Sequence, residues 1–304
     1  MNAQRVLVTG ANSPLAQSVA TRLRSLGHIP VGTIRPQSLK NFVSIFEDIF
    51  PVDFNEHDTV GRINGSFDSV IHIAALSHGS AKDLMTVTGL GTRALAEQAA
   101  KLGIRRFVHV SSISVYGMIF TSPVTSRTQV HHASDYGVAK WAAECYLHNF
   151  SQSFKHVSVR CPAIVGKLVN PHFLARLYQQ MCRNEPIIQL NNPEFKFNNV
   201  IHETTLSQFL VHLALENTGC PTVLPVASSE PVRLVEIVSE MANATAYRGQ
   251  VVWASGIEEP FSIDNTEAIE FGLASVSTRW AIQRWLSHPT TVREVPSEMI
   301  SRKS

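Results

Sequence analysis

The stretch Arg5–Gly27 reads RVLVTGANSPLAQSVATRLRSLG, and it decides how the rest of the chain is read. RVLV is a short apolar strand, and PLAQSVATRLRSLG carries helical periodicity up to a closing Gly27. Gly10 permits a tight turn between them. Pro14 suits the first helical turn, where its missing N–H costs little, and Asn12 or Ser13 can cap that helix. A strand running through a tight turn into a helix N-terminus aims unpaired N–H groups at whatever anion sits there. A dinucleotide-binding protein keeps its glycine-rich phosphate loop at this place. Only Gly10 of the expected glycines is present, so the loop is a working but modified one, an unrelated turn, or a decayed site.

The alternation continues. IPVGTIR, SVIHIAAL and RRFVHVSSISVYG read as strands, with helical patterns in GTRALAEQAAKLG and YGVAKWAAECYLHNF, and HVSVRCP is a further strand. Strands that are apolar on both faces are covered on both faces, which means a parallel sheet with helices on each side. Repeated strand–helix alternation with right-handed crossovers gives a doubly wound α/β fold. The pattern loosens after Pro162. The expected division is a sheet domain over 1–165, rejoined by about 199–228, and a smaller C-terminal substrate lobe from 166–198 and 229–304.

Bulk properties narrow the function. The chain has 304 residues, 44% apolar and 16% charged, with net charge +2. That is ordinary globular composition, with no basic excess for nucleic acid and no acidic tail. No apolar run approaches a membrane span of roughly 20 residues. The N-terminus enters a strand directly, with no charged-then-apolar leader. Cys145, Cys161, Cys182 and Cys220 lie far apart, without metal spacing or a disulfide framework. The expectation is a cytoplasmic protein with reduced thiols and no bound metal, no nucleic-acid partner and no membrane association.

The chemistry concentrates in DYGVAK, where Tyr136 and Lys140 are four apart at a helix start. Residues i and i+4 share a helix face, so phenol and ammonium can enter one cleft. A nearby cation favours the phenolate of a tyrosine whose ordinary pKa is about 10. Upstream, RFVHVSSISVYG ends a strand with hydroxyls at Ser111, Ser112 and Ser114. Ligands of such folds sit beyond the carboxyl ends of the strands. A serine there can hydrogen-bond a substrate hydroxyl or carbonyl while Tyr136 moves the proton.

These blocks give the chain a resemblance. LVTG, VIHIAA, GTRALAEQA, RFVHVSSISVYG, YGVAKWAAE, VRCPAIVG, VASSEPVRLVEIV and IDNTEAIEFGL occur in this order along nearly the whole chain. They resemble an extended short-chain dehydrogenase/reductase of the NAD-dependent epimerase/dehydratase family, of nucleotide-sugar epimerase/reductase type. The resemblance implies a Rossmann sheet and a catalytic set of Ser112, Tyr136 and Lys140. It makes Tyr136 the general acid/base, and has Lys140 lower its pKa and hold the nicotinamide ribose. Ser112, Ser114 and Tyr136 would face substrate.

On the cofactor side the resemblance implies Gly10, Asn12, Ser13, Pro14 and Leu15 at the phosphate loop and Asp53 with Phe54 at the adenine. It puts Ala74 and Ala75 along the path, and Pro162, Ile164 and Val165 against the nicotinamide. The family loop is T-G-x-x-G-x-x-G; here the second glycine is Ser13 and the third Ala16. Alanine is an accepted alternative at the latter place, while Ser13 either crowds the pyrophosphate or donates to it. With Ser112, Tyr136 and Lys140 intact, the loop is read as working. Arg35 ends the second strand, with Ser38 and Lys40 beyond. An acid there would exclude a 2′-phosphate, whereas arginine can clamp one, so NADP is favoured over NAD.

Departures limit the substrate. Thr88 replaces a family asparagine, which puts a water relay in doubt. Ile113 and Ser114 stand where dehydratases carry acids, so dehydration is not expected. Asn198 stands near the usual diphosphate arginine, with only Lys196 close in sequence, and Ala163 replaces another family asparagine. Arg233 and Arg279 are left as surface residues or phosphate ligands, and His131–His132 as a solvated loop or a substrate contact. The reading is NAD(P)-dependent hydride transfer on a nucleotide-activated sugar, by a 4-epimerase or 4-keto reductase. A non-sugar ketone reductase and a cofactor-sensing protein without turnover are the alternatives. The family commonly dimerises through two helices, here LGTRALAEQAAKLG and YGVAKWAAECYLHNF. Leu95, Ala99, Leu102, Trp141, Cys145 and Leu147 supply their apolar faces, so a homodimer is expected.

Overall fold

The computed structural model describes residues 2–42, 45–169, 172–216, 219–254, 260–287 and 291–292. The first half runs β1 (Arg5–Thr9), α1 (Pro14–Ser25), β2 (Ile29–Ile34), β3 (Asp48–Pro51), β4 (Ser69–His72), α2 (Ala81–Leu84), α3 (Gly91–Lys101), β5 (Arg106–Ser112), α4 (Asp135–His148) and β6 (Lys155–Cys161). A π-helical turn, Met85–Leu90, joins α2 to α3. Next come β7 (Ala163–Val165), β8 (Leu168–Val169), α5 (Phe173–Cys182), β9 (Ile187–Asn191), β10 (Lys196–Phe197), β11 (Val200–His202), α6 (Glu203–Leu215) and β12 (Val223–Pro225). The chain continues through β13 (Val232–Arg233), α7 (Leu234–Thr245), β14 (Gln250–Ala254), α8 (Thr266–Glu270), α9 (Thr278–Leu286) and β15 (Thr291–Val292).

Seven strands form one sheet in the order β12-β6-β5-β4-β1-β2-β3. Every neighbouring pair in it is parallel. This is the doubly wound Rossmann sheet that the alternation of patterns implied. The pleat of each strand sends alternate side chains to opposite layers. Val6, Val8, Ile71, Val108 and Val159 pack under α1 and α6. Leu7, Val31, Val70 and Phe107 pack under α3, together with Leu147 of α4. Strand order reverses between β1 and β4, and the crevice beyond their carboxyl ends is where doubly wound folds bind ligands.

A separate core forms from Val165, Leu177 and Met181, from Ile188 and Leu190, and from Ile237, Met241, Ile282 and Trp285. The chain threads between the two regions more than once. β11 pairs in parallel with β7, α6 and β12 return to the sheet, and Ala268 of α8 and Leu273 also pack into the sheet core. No helix among the described residues is long and apolar enough to cross a membrane.

Candidate active site

The turn between β1 and α1 holds one glycine where the chain needs it. Gly10 has φ +73°, and a Cβ there would come within 3.3 Å of the Ala74 backbone. That left-handed backbone and close approach favour glycine. Ser13 is the N-cap of α1, and its Oγ accepts from the Ala16 N–H at 3.2 Å. The hydroxyl proton of Ser13 stays available to an anion, so serine completes the cap without spending its donor. Pro14 occupies the first turn and Asn12 is exposed, while the Leu15 side chain lies in the sheet core.

Beside the loop, Thr9 pins the end of β4. Its Oγ1 accepts from the Ile73 and Ala74 N–H groups, each at 3.0 Å, and lies 2.8 Å from His72 Nδ1. Two accepted bonds leave the threonine proton to donate to Nδ1. His72 then carries its proton on Nε2 and gives it to Thr92 Oγ1 at 2.9 Å, and Thr92 donates to the Thr88 carbonyl at 2.6 Å. This tautomer is assigned from the network. Burial, with the Lys140 charge adding to it, pushes the His72 pKa down to about 3, so the ring is neutral. Thr88 spends its hydroxyl on the backbone of Leu76, accepting from N–H at 3.1 Å and donating to the carbonyl at 3.2 Å. It is a loop fastener there.

At the end of β2, Arg35 is exposed, and its side chain makes no hydrogen bond or ion pair among the described residues. Asp53 is half-buried, with Oδ1 accepting from Asn55 N–H at 2.9 Å; its other oxygen faces no such demand. Phe54 is buried against His72. Ala74 is half-buried and Ala75 exposed. Pro162 is buried and Ile164 half-buried, whereas Val165 is 0% exposed inside the second core.

The three expected catalytic residues meet where β5 ends and α4 begins. Ser134 caps α4, accepting from the Gly137 N–H at 3.3 Å. Gly137 faces the Ser114 carbonyl so closely that a Cβ has no room. This brings the first turn of α4 onto the Ser112–Ser114 turn. Ser112 Oγ accepts from Ser114 N–H and donates to Ser114 Oγ, both at 3.1 Å, and it is near enough to Tyr136 to turn that one proton to a phenolate instead. Burial pushes the Tyr136 pKa up to about 12, the Cys161 thiol adds to this, and the hydrogen bond that Ser112 can give a phenolate opposes it. Lys140 is 2% exposed and donates to the Val110 carbonyl at 2.6 Å. Burial pulls its pKa down to about 8, while Cys161 and Glu144 oppose that. In this arrangement the ammonium is not what governs the phenol.

Sequence reasoning missed Glu144 and Arg160. Glu144 lies one further turn along the stripe that carries Tyr136 and Lys140, a spacing that could have flagged it. Its carboxylate holds Arg160 in two bonds at 3.0 and 2.6 Å.

Asn198, just before β11, is a structural pin. Its Nδ2 donates to the Ser228 and Ile263 carbonyls at 3.2 and 2.8 Å, and its Oδ1 accepts from Ile263 N–H at 2.9 Å. Arg233 pairs with Glu194 and Glu236, and Arg279 with Glu236 and Glu240, around a cleft of about 340 Å³ that Lys196 also lines. His131 is held by backbone bonds to Tyr116 and Met118 and lies edge-on to Phe120; His132 is exposed at φ 47°.

A model of the NAD dependent epimerase/dehydratase family matches residues 6–196. The UDP-glucose 4-epimerase of Mycolicibacterium smegmatis is 31% identical over 186 residues, which is 55% of this chain and 58% of that protein. Among the curated relatives, the aligned stretch spans between 23% and 62% of the relative's length. The Bordetella bronchiseptica enzyme WbmG in complex with NAD superposes with TM-score 0.78 at 19% identity, covering 94% of each chain. The UDP-glucose 4-epimerase of Thermotoga maritima with UDP-glucose gives TM-score 0.77 at 18% identity, covering 93% of this chain and 97% of that one. At such identities the solved structures speak to the fold alone.

Proposed function

Because this chain belongs to the NAD dependent epimerase/dehydratase family, we propose that it is an extended short-chain dehydrogenase/reductase acting on a nucleotide-activated sugar. The step is hydride transfer at a sugar carbon, in 4-epimerisation or 4-keto reduction, with Tyr136 moving the proton. The observation that carries this is the convergence on the end of β5, one strand from the strand-order reversal, of Tyr136 beside Ser112 and of Lys140 bound to Val110.

The donors and cradle present fit a nicotinamide dinucleotide. Gly10 lets the backbone approach, Ser13 keeps a hydroxyl proton, and the N-terminus of α1 faces the pyrophosphate position. Asp53 would take the adenine amine. Arg35 would take a 2′-phosphate, which supports NADP over NAD. Lys140 has two N–H donors beyond the one given to Val110, and these would take the ribose hydroxyls. The bound cofactor supplies the hydride donor or acceptor and, when oxidised, a positive ring charge near the phenol. Tyr136, neutral at its raised pKa, protonates the oxygen of a reduced carbonyl. In the reverse direction it accepts the hydroxyl proton once its pKa falls. Ser112 orients the same substrate oxygen by a hydrogen bond.

One observation favours a second reading. Asn198 is fully engaged, and Arg233 and Arg279 are neutralised by three glutamates. A diphosphate would have to compete with those carboxylates, which supports a reductase of a non-sugar carbonyl. We further propose a cytoplasmic homodimer. The described cysteines are all free, and α4 exposes Val138, Trp141 and Cys145. Leu95, Ala99 and Leu147 are buried in the sheet core instead.

The test is a panel of UDP- and dTDP-sugars and small ketones, each with NAD(H) and NADP(H), read by nicotinamide absorbance and by NMR of the product. Turnover of a nucleotide sugar supports the first reading, turnover of a ketone alone the second, and none with either removes both.

A further inference from the structure

Behind the catalytic face lies a buried chain of polar groups that the proton and hydride steps do not use. Arg160 and Glu144 are both 7% exposed and form a two-pronged pair, Nε to Oε1 at 3.0 Å and Nη2 to Oε2 at 2.6 Å. Ser111 Oγ donates to the same Oε1 at 2.5 Å. The Arg160 guanidinium lies 4.5 Å from the centre of the Tyr116 ring, and the Tyr116 hydroxyl donates to the Thr125 carbonyl at 2.8 Å.

The members come from four pieces of the fold. Ser111 precedes Ser112 on β5. Glu144 lies one turn beyond Lys140 and two beyond Tyr136 on α4. Arg160 precedes Cys161 on β6, whose register partner on β5 is Ser112. Tyr116 and Thr125 belong to the segment between β5 and α4. A buried ion pair is a poor device for stability, because desolvating both charges cancels most of their attraction; its better-attested use is fixing one register among several. The two-pronged geometry suits that use, since it constrains angle as well as distance.

We propose that Glu144 and Arg160 are positioning residues, whose buried pair, tied to Ser111 and Tyr116, sets α4 against the ends of β5 and β6 so that Tyr136 meets Ser112. The proposal rests on Tyr136 being the acid/base. Neither Glu144 nor Arg160 touches a reacting atom. Their effect passes through backbone register, which a misplacement of about 1 Å would degrade on the order of 10²-fold in rate.

The test uses the double substitution Glu144→Leu with Arg160→Met in the full chain loaded with NAD⁺. Replacing both partners by apolar groups of similar volume avoids an orphaned charge and is often neutral for folding. Net charge is also unchanged, and neither Glu144 nor Arg160 is among the groups that act on the Tyr136 phenol, so the readout reports position. That readout is the tyrosinate absorbance of Tyr136, isolated by subtracting the same protein carrying Tyr136→Phe. The groups that act on this phenol are Cys161 and the Ser112 hydroxyl, and the oxidised nicotinamide ring would join them. Losing the hydrogen bond from Ser112 removes a contact that favours the phenolate, so the midpoint should rise by on the order of one pH unit. A purely stabilising pair would leave it in place.

Should the double variant fail to fold, Arg160→Lys is read in its place. It keeps the charge but loses the fork and the flat face on Tyr116, and should shift the midpoint upward by less. An unmoved band in a folded variant overturns the positioning role alone. A wild-type protein with no Tyr136 band anywhere below the range of an unperturbed tyrosine overturns the acid/base reading, and this proposal with it.

Discussion

The ammonium of Lys140 reaches the carbonyl oxygen of Val110 at 2.6 Å from a side chain that is 2% exposed. One donor is satisfied and two are held ready inside the protein. Readiness of this kind costs stability. With a folded pKa of about 8 against 10.5 for the free side chain, both states hold the proton below pH 8 and the penalty is fully present. Between pH 8 and 10.5 only the unfolded chain stays protonated, so stability rises with pH. A gap of this size corresponds to roughly 3 kcal/mol, less about 1 kcal/mol for the hydrogen bond. Lys140→Met should therefore stabilise the fold at pH 7 by on the order of 1–3 kcal/mol, with the gain fading towards pH 10.5, and should weaken cofactor binding. Denaturant unfolding at pH 7 and 10 checks this; a less stable variant at pH 7 would contradict it.

The buried histidines act in the opposite pH range. Burial holds His72 at about 3 and His156 at about 4, with Lys140 adding to the first and His148 to the second, against 6.5 when free. Above pH 6.5 neither state is protonated. As pH falls from 6.5 towards these values the unfolded chain alone takes up protons, so stability is lost, at roughly 1.4 kcal/mol per histidine per pH unit. His72→Gln should flatten the dependence of unfolding free energy on pH between 5 and 6 by about one proton. An unchanged slope would mean that His72 ionises normally.

Cofactor choice is separable from cofactor binding. Arg35 is exposed and unengaged among the described residues, whereas Ser13 caps α1. A charge-assisted contact from Arg35 to a 2′-phosphate contributes on the order of 1.5–3 kcal/mol, or roughly a ten- to hundredfold preference for NADP(H). Arg35→Asp should reverse the order. Ser13→Ala should cost about 1 kcal/mol of stability through the lost cap and weaken both cofactors alike. Titrating both cofactors against the wild type and the two variants decides it. If wild type prefers NAD, Arg35 is a surface residue only.

What the sequence made legible was whatever is written locally. The strand-then-helix alternation gave the sheet, because a strand apolar on both faces has few other uses. The spacing of Tyr136 and Lys140 and the serines ending β5 pointed to one place in the fold, and the structure puts them at one end of β5. The rest depends on partners distant in the chain. Nothing near Arg160 announces Glu144, and nothing near Asn198 announces Ser228 and Ile263. The role of Ser13 was left between two readings because a hydroxyl both accepts and donates, and only the cap geometry shows which half is spent. The π-helical turn at Met85–Leu90, which lets Thr88 reach Leu76, has no hydrophobic period to reveal it.

The central claim is that Tyr136 transfers the proton while Ser112 and Lys140 arrange the site around it. Tyr136→Phe removes one oxygen and leaves the ring, the helix and the ammonium. With the nucleotide sugar or ketone that the wild type turns over, the single-turnover rate of hydride transfer, read from nicotinamide absorbance, should fall by on the order of 10²–10⁴-fold. Affinity for the cofactor, read by fluorescence titration on the same sample, should stay close to that of the wild type. Near-normal hydride transfer in Tyr136→Phe would contradict the account.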